Sequence, residues 1–265
     1  MRISKRKAHL LVLSAIVLCV MLAALFLIRP PPDVTPAIEK AITVFGGEGE
    51  PYALLFLDVI YRRFGIQEFA DALERYDQVL ALDPPNAPLL RLFRRIADHD
   101  NQLQDGDLNF VSSELDVITV PALYCNRFGL PDDYLELLKD SMEDPTKYLV
   151  THVLLAWIWI QENNYDFTLP DGFIEDVYAE NAKLINNDQA VFDVELEAAA
   201  FLCLAGQASL IDKSFIQRVV DAQDPDGSWG IGEDRWHTTV LGLVYLLHVK
   251  YPADSYPPSL APASQ

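Results

Sequence analysis

The chain has 265 residues, of which 51% are apolar and 22% are charged, so it can bury a large hydrophobic core without disulfides or structural metals. It carries 20 basic and 39 acidic residues, a formal net charge of -19, and this balance argues against nucleic acid as a partner because phosphate binding needs clustered basic residues. The three cysteines, Cys19, Cys125 and Cys203, are too few and too far apart for a disulfide framework or a zinc ribbon.

The first segment of the chain has the pattern of a membrane anchor. Four of residues 1–7 are basic, and an uncharged apolar run follows over residues 8–28. As a helix, this run would be about 30 Å long, which is the thickness of the hydrocarbon core of a bilayer. The positive charges before the run predict a cytoplasmic N-terminus and an extracytoplasmic domain. A cleaved signal peptide is the alternative, but its apolar region is typically about 7–15 residues long. We therefore predict an uncleaved signal-anchor and a single-pass membrane protein.

The remainder of the chain has the pattern of an all-α domain. A proline-rich linker covers residues 29–35, and from residue 36 to residue 251 apolar side chains recur at intervals of three and four. Proline and glycine fall between these periodic segments, as expected for loops between helices. The sequence therefore predicts a helical domain over residues 36–251, followed by a disordered tail over residues 252–265.

The predicted helices alternate between two kinds. Three segments are almost entirely apolar after a polar first turn and begin near Tyr148, Asp193 and Trp236, while a fourth, less regular one begins at Glu114. Amphipathic helices lie between them. Hairpins that pair a buried inner helix with an amphipathic outer helix would close into a ring, an α/α toroid. An open solenoid is the competing arrangement.

One segment carries a family resemblance. Val219, Gln223, Gly227 and Trp229 match in order and spacing the Gln-Trp motif of the terpenoid cyclases and protein prenyltransferases, although the position before the first of them is Arg218 where the family has an aromatic residue. The stretch from Gln223 to Trp229 thus resembles that family, and the resemblance implies an α/α toroid with a central cavity. Gln223 is expected to bond backbone groups at the start of the following helix, with Trp229 stacked over it.

The resemblance also bears on metal binding. The β-subunits of protein prenyltransferases hold zinc with an Asp-x-Cys step on one inner helix and a histidine on a later one. Asp193 and His237 match two of these ligands, but the position of the cysteine is Glu195. The Asp-x-Asp-Asp step with which terpene cyclases protonate substrate is kept only in part. The resemblance therefore implies neither the zinc site of the prenyltransferases nor the proton transfer of the cyclases in complete form.

The polar first turns of the inner helices form a candidate site. If these helices start at one rim, His152, Asp193, Glu195, Glu197 and His237 face a common space, and four of them, His152, Asp193, Glu195 and His237, can hold zinc or another divalent metal. Asp193, Glu195 and His237 are also candidate catalytic acids and bases, since an apolar cavity raises carboxylate pKa values. The alternative is that these residues only cap helix N-termini.

Four aromatic side chains are candidates for binding an apolar ligand such as an isoprenoid or another lipid: Trp157, Phe201, Trp229 and Trp236. Aromatic residues at helical spacing also occur as ordinary core, which is the alternative.

Two functions remain open. In the first, the chain is a membrane-anchored extracytoplasmic module that binds a small apolar or peptide ligand, and its polar rim only caps helices. In the second, it is a cyclase- or transferase-like enzyme that uses the rim, with or without a divalent metal. Neither function involves nucleic acid.

Overall fold

The computed structural model describes residues 32–185, 191–232 and 235–262. Within these ranges the regular structure consists of α-helices and short 3-10 turns with no β-strand, which confirms the predicted all-α class. The predicted basic segment (1–7), the transmembrane helix (8–28) and the first residues of the linker lie outside the described residues. In the described part of the chain, no helix combines the length and the apolar character needed to cross a membrane.

The described residues form twelve α-helices, which we number α1 to α12. They are α1 (Thr35–Val44), α2 (Pro51–Phe64), α3 (Ala72–Ala81), α4 (Ala87–Phe93), α5 (Glu114–Leu123), α6 (Cys125–Phe128), α7 (Tyr134–Met142), α8 (Tyr148–Glu162), α9 (Phe173–Ile185), α10 (Asp193–Leu204), α11 (Ser214–Asp221) and α12 (Arg235–Lys250). The short helix α6 follows α5 directly, and 3-10 turns follow α1, α2 and α4.

The helices differ in how much of their surface is buried. Helices α8, α10 and α12 are apolar on nearly every side after the first turn, so most of their residues are buried, and α10 is buried without interruption from Glu195 to Cys203. Helix α11, by contrast, buries only one face, through Phe215, Ile216 and Val219. The two kinds of helix that the sequence indicates are therefore present.

The buried helices pack against one another in chain order. Helix α5 packs against α8, α8 against α10, and α10 against α12, while α12 also contacts α1 and α2. The amphipathic helices lie on this set: α3 on α2, α7 on α8, α9 on both α8 and α10, and α11 on α12. Helix α2 is a further buried helix, because almost every residue from Ala53 to Ile60 is inaccessible to solvent.

The Gln-Trp segment joins the last part of the domain to the first. The Gln223 amide donates hydrogen bonds to the carbonyl oxygens of Ala37 in α1, at 2.8 Å, and of Gly227, at 2.9 Å. The buried indole of Trp229 donates from Nε1 to the carbonyl of Val219 at 2.8 Å. Gln223 therefore bonds α1 and its own turn. The sequence predicted a bond to the start of the following helix instead. The difference arises because the NH2 group of Gln223 is a donor, and α1 offers it a carbonyl oxygen as acceptor.

Gly227 permits this approach. Its φ is +96°, a conformation that glycine adopts without a steric penalty, and an added Cβ atom would lie 2.6 Å from the carbonyl oxygen of Lys40 in α1. The turn after α11 can lie this close to α1 only because the position has no side chain.

The segment after α12 differs from the disorder expected for residues 252–265. The structure describes residues 252–262 and places Ser259 and Leu260 against the domain, 4% and 3% exposed. The amide of Ala261 donates to the carbonyl of Ile96 at 2.8 Å. A proline-rich composition predicts disorder when only local interactions are considered, whereas these contacts come from helices more than ninety residues earlier in the chain.

We expect Gly227→Ala to lower the free energy of unfolding by about 2–4 kcal/mol, because alanine is strained at positive φ and its Cβ would displace α1. Gly172→Ala is the matched control: φ is +82° there, but no atom lies within 4 Å of an added Cβ, so we expect a loss of only about 1 kcal/mol. Urea unfolding of both variants measures the difference. If the two variants lose the same free energy of unfolding, the close contact between the Gly227 turn and α1 does not contribute to stability.

Candidate functional site

Five helices, α2, α5, α8, α10 and α12, line a common cavity of about 250 Å³. Phe93 at the end of α4 and Ile96 in the turn that follows also belong to its wall. Most of the lining is apolar, and its aromatic members include Phe56, Phe64, Phe93, Trp159, Phe201 and Trp236. Apolar lining with a few polar groups is the usual composition of a small-molecule site.

The polar groups of the cavity concentrate where the buried helices begin. Asp116, His152 and His237 line the cavity and lie in the first five residues of α5, α8 and α12. At the other end, α2 and α12 finish side by side, where Arg63 Nε donates to His248 Nε2 at 3.2 Å. The cavity therefore has one end rich in carboxylates and imidazoles and another that contains Arg63.

Asp193, the first residue of α10, is the centre of one polar cluster. His237 Nδ1 lies 3.1 Å from both of its carboxylate oxygens, the Thr238 hydroxyl donates to Oδ1 at 2.6 Å, and the Tyr148 hydroxyl donates to Oδ2 at 3.3 Å. Burial raises the pKa of Asp193, but the donors, above all His237, outweigh burial and hold the pKa below its ordinary value. Asp193 is therefore ionised at neutral pH and joins the starts of α8, α10 and α12.

Glu197 is the centre of a second, deeper cluster. Its side chain is fully buried, and Oε1 lies 3.0 Å from His152 Nδ1 and accepts a hydrogen bond from the Thr151 hydroxyl at 2.6 Å. Within the described residues, the other oxygen, Oε2, has no hydrogen-bond partner. Burial opposes charge on the His152 imidazole, but the Glu197 carboxylate outweighs burial and raises the pKa of His152 above its ordinary value.

Three of these groups have the proximity that a metal site requires. Asp193, Glu197 and His237 each offer a ligand atom, and in the described part of the chain these atoms lie within 4.8 Å of one another. His152 lies beside this group through its bond to Glu197. Glu195, which the sequence also suggested as a ligand and a catalytic group, is buried elsewhere and its Oε2 accepts the backbone N–H of Phe192 at 3.0 Å, as a helix cap.

Helical geometry explains why Glu197, and not Glu195, joins Asp193. Residues four apart lie on one face of a helix, whereas residues two apart point in nearly opposite directions. Asp193 and Glu197 have the first spacing and Asp193 and Glu195 the second. The resemblance to the Asp-x-Cys step predicted Glu195 as the partner of Asp193. The spacing of four residues on a helix predicts Glu197 instead.

The four predicted ligand-binding aromatics divide into two pairs. Phe201 and Trp236 line the cavity. Trp229 is fully buried but is not part of the lining, and its ring packs against Gly242 of α12, where an added Cβ would lie 3.0 Å from the indole. Trp157 is half-buried and is also absent from the lining. Trp229 and Trp157 therefore lie outside the cavity wall and pack against the hydrophobic core.

Several cavity residues were not indicated by the sequence. Phe56, Phe64 and Arg63 belong to α2, whose apolar spacing is visible but which lacks the polar first turn that marks the other inner helices. Phe93, at the end of α4, also lines the cavity. A search for helices buried on all sides, without the polar-start criterion, would have included α2.

We expect Glu197→Gln to lower the pKa of His152 below its wild-type value, because burial then acts on the imidazole without the opposing carboxylate.

The raised pKa of His152 in the wild type also makes stability depend on pH. The His152–Glu197 pair contributes stability that is fully present below pH ~6.5 and is lost as the pH rises through the pKa of His152 in the folded chain. NMR titration of the imidazole measures the shift, and unfolding at several pH values measures the linkage. Glu195→Gln is the control, because Glu195 contacts Phe192 and not His152. An unchanged His152 titration in Glu197→Gln would contradict the pairing.

Comparisons of the chain with protein-family models, with curated proteins and with solved structures find no match. The geometry of the cavity and of its polar end is therefore the basis for a functional proposal.

Proposed function

We propose that this chain is a membrane-anchored α/α-toroid protein whose domain lies outside the cytoplasm and binds a small apolar ligand in its central cavity. The observation that carries the proposal is the cavity itself, to which five buried helices contribute aromatic and aliphatic side chains. Burying apolar ligand surface against such walls yields about 25 cal/mol per Å² before the costs of binding. A peptide with an apolar side chain is a second ligand of the same chemistry.

The packing order of the helices supports the toroid. The buried helices follow one another from α5 to α12, and α12 reaches both α1 and α2. The Gln223–Ala37 hydrogen bond joins the turn after α11 to α1, near the start of the described chain. Phe93 and Ile96 line the same cavity as residues of α2 and α5. In an open solenoid, the first and last helices would be far apart.

The membrane anchor rests on the sequence. The uncharged apolar run over residues 8–28 follows four basic residues, and the acidic residues all lie after it. The acidic character of the domain keeps it away from anionic surfaces and from nucleic acid. The two cysteines of the domain, Cys125 and Cys203, are buried and unpaired, and burial raises the pKa of their thiols to about 11 and about 12. Such thiols are poorly reactive on an oxidising side of a membrane.

We expect the full chain to bind a fluorescent apolar probe, and Leu155→Trp to weaken this binding at least tenfold, because Leu155 lines the cavity and the larger side chain occupies ligand space. Fluorescence titration measures the affinity. Leu82→Trp is the matched control, since Leu82 is 81% exposed and lies outside the cavity. Equal probe binding by the two variants, with both of them folded, would contradict a cavity ligand.

The cluster at the polar end favours a second candidate function, a cyclase- or transferase-like enzyme. The His152 imidazole lines the cavity beside the buried Glu197 carboxylate, which raises the pKa of His152 and so favours its proton-bearing form as a donor to a ligand there. Asp193 is ionised and orients His237 through Nδ1. The two clusters together thus offer a proton donor, His152, and a carboxylate–imidazole pair, Asp193 and His237.

The same residues fit a divalent metal such as zinc. Asp193, Glu197 and His237 are oxygen and nitrogen donors of the kind that zinc accepts, and Glu197 Oε2 has no hydrogen-bond partner among the residues that the structure describes. A bound zinc ion would supply Lewis acidity at the polar end of the cavity. Without a thiolate, this donor set differs from the zinc site of the prenyltransferases, which the resemblance implies only in part.

We expect wild-type chain dialysed against zinc to retain about one ion per molecule after exchange into metal-free buffer, because three possible ligand atoms lie within 4.8 Å of one another. His237→Ala removes one ligand and should abolish retention, whereas Glu195→Gln should leave it unchanged. Elemental analysis counts the metal. Retention by His237→Ala, or none by the wild type, would contradict the metal site and leave the cavity proposal intact.

A further inference from the structure

A short segment after α12 crosses the end of the cavity opposite the polar cluster. This tail segment, Tyr256–Ala261, places Ser259 in the cavity lining together with Arg63 and Phe64 from the last turn of α2. The preceding residues, 252–255, are exposed. The tail segment therefore forms part of the cavity wall, although it is irregular and lies outside the helices.

The domain holds the tail segment mainly through its main chain. Arg62 Nη2 donates to the carbonyl of Ser259 at 2.9 Å, and Arg63 Nη1 donates to the carbonyl of Pro257. The Ala261 amide donates to the carbonyl of Ile96 at 2.8 Å. Contacts of this kind recognise an extended backbone and are typical of sites that bind peptides.

Glu162, the last residue of α8, makes the densest set of contacts. Its carboxylate accepts the backbone N–H of Ser259 at 2.8 Å, the hydroxyl of Ser259 at 2.6 Å and the backbone N–H of Leu260 at 2.9 Å. Hydrogen bonds that a carboxylate accepts are stronger than those between two neutral groups. Glu162 is therefore the residue whose change should loosen the segment most.

Two side chains of the tail segment add specificity. Leu260 is 3% exposed and enters the core. The Tyr256 ring contacts the rings of His248 and Phe64, with centroids 4.7 and 5.6 Å away, and the Arg63 guanidinium lies 4.6 Å from its centroid. Burial lowers the pKa of His248 to about 4, so at neutral pH its Nε2 accepts the hydrogen bond from Arg63.

The tail segment also has the composition of a peptide ligand. Pro257 and Pro258 restrict φ and lack N–H groups, so the segment is extended before it binds and cannot join a helix. Only Ser259 and Leu260 are buried. The tail segment buries little surface against the domain. Its release alone therefore exposes far less buried surface than the unfolding of any helix.

We propose that the surface formed by Arg62, Arg63, Ile96 and Glu162 is a peptide-binding site, that the tail segment is its resident ligand, and that release of the segment opens the cavity at this end. The class of partner that fits is an extended peptide with two prolines followed by a small hydroxyl residue and leucine. The peptide site stands on its own contacts, and only the role of its release in ligand entry rests on the proposed function.

Hydrogen exchange of the full chain tests the inference directly. We expect the amides of Ser259, Leu260 and Ala261 to exchange about 100-fold faster than those of α10 and α12, yet more slowly than in a free peptide. Glu162→Gln should speed this exchange about tenfold without changing α10 or α12. Glu175→Gln, an exposed glutamate of α9 away from the segment, is the matched control and should change nothing. Exchange of the tail amides together with α10 and α12 would overturn the proposal and make the segment an inseparable part of the core.

A second experiment tests binding in trans. A chain that lacks residues 252–265 should remain folded by circular dichroism and bind a synthetic peptide of residues 251–262 in a saturable manner. Glu162→Gln in that chain, and Leu260→Asp in the peptide, should each weaken binding at least tenfold. The proposal would be overturned if the shortened chain folds but does not bind the peptide, or if the shortened chain does not fold.

The two proposals fail in different ways. If the tail amides open locally but no variant binds an apolar probe, the cavity function is contradicted and the peptide site remains. If the shortened chain binds the probe at the same rate as the full chain, the segment does not control entry, and that part of the inference is overturned.

Discussion

Two carboxylates on one face of α10 determine how the buried helices meet. Asp193 receives hydrogen bonds from α8 and α12, and Glu197 receives them from α8. Such bonds act between helices whose walls are otherwise apolar, where an unpaired polar group costs far more than at the surface. The helices therefore begin at a common end, with their first turns in register. The position of the cavity below this end follows from that arrangement.

The two ends of the cavity consequently have different chemistry. At one end, imidazoles and carboxylates lie at helix N-termini, where the helix dipole favours negative charge. At the other, α2 and α12 finish near Arg63, where the dipole favours a cation, and the tail segment covers the opening. A ligand in the cavity would have imidazoles and carboxylates at one end, and the Arg63 guanidinium together with the tail segment at the other. This asymmetry links the proposed acid–base role to the proposed entry route.

Side chain–backbone hydrogen bonds from distant residues hold both extremities of the domain. Gln223 bonds a carbonyl of α1, and Glu162 bonds two amides of the tail segment. Neither partner is near in sequence, so no local pattern identifies it. This explains why the tail segment has the composition of a disordered chain while it lies against the domain. It also explains why Gln223 bonds α1 and not the following helix.

The sequence by itself determined the helical class, the alternation of buried and amphipathic helices and the candidacy of Asp193, His152 and His237, because these depend on periodicity and on residue type within single helices. Only the tertiary structure decided that Glu197 joins this group while Glu195 caps a helix, and that α2 contributes to the cavity as fully as the others. It also decided which aromatic side chains reach the cavity. These features depend on the rotation of each helix about its axis, which is set by packing against neighbours far away in the chain.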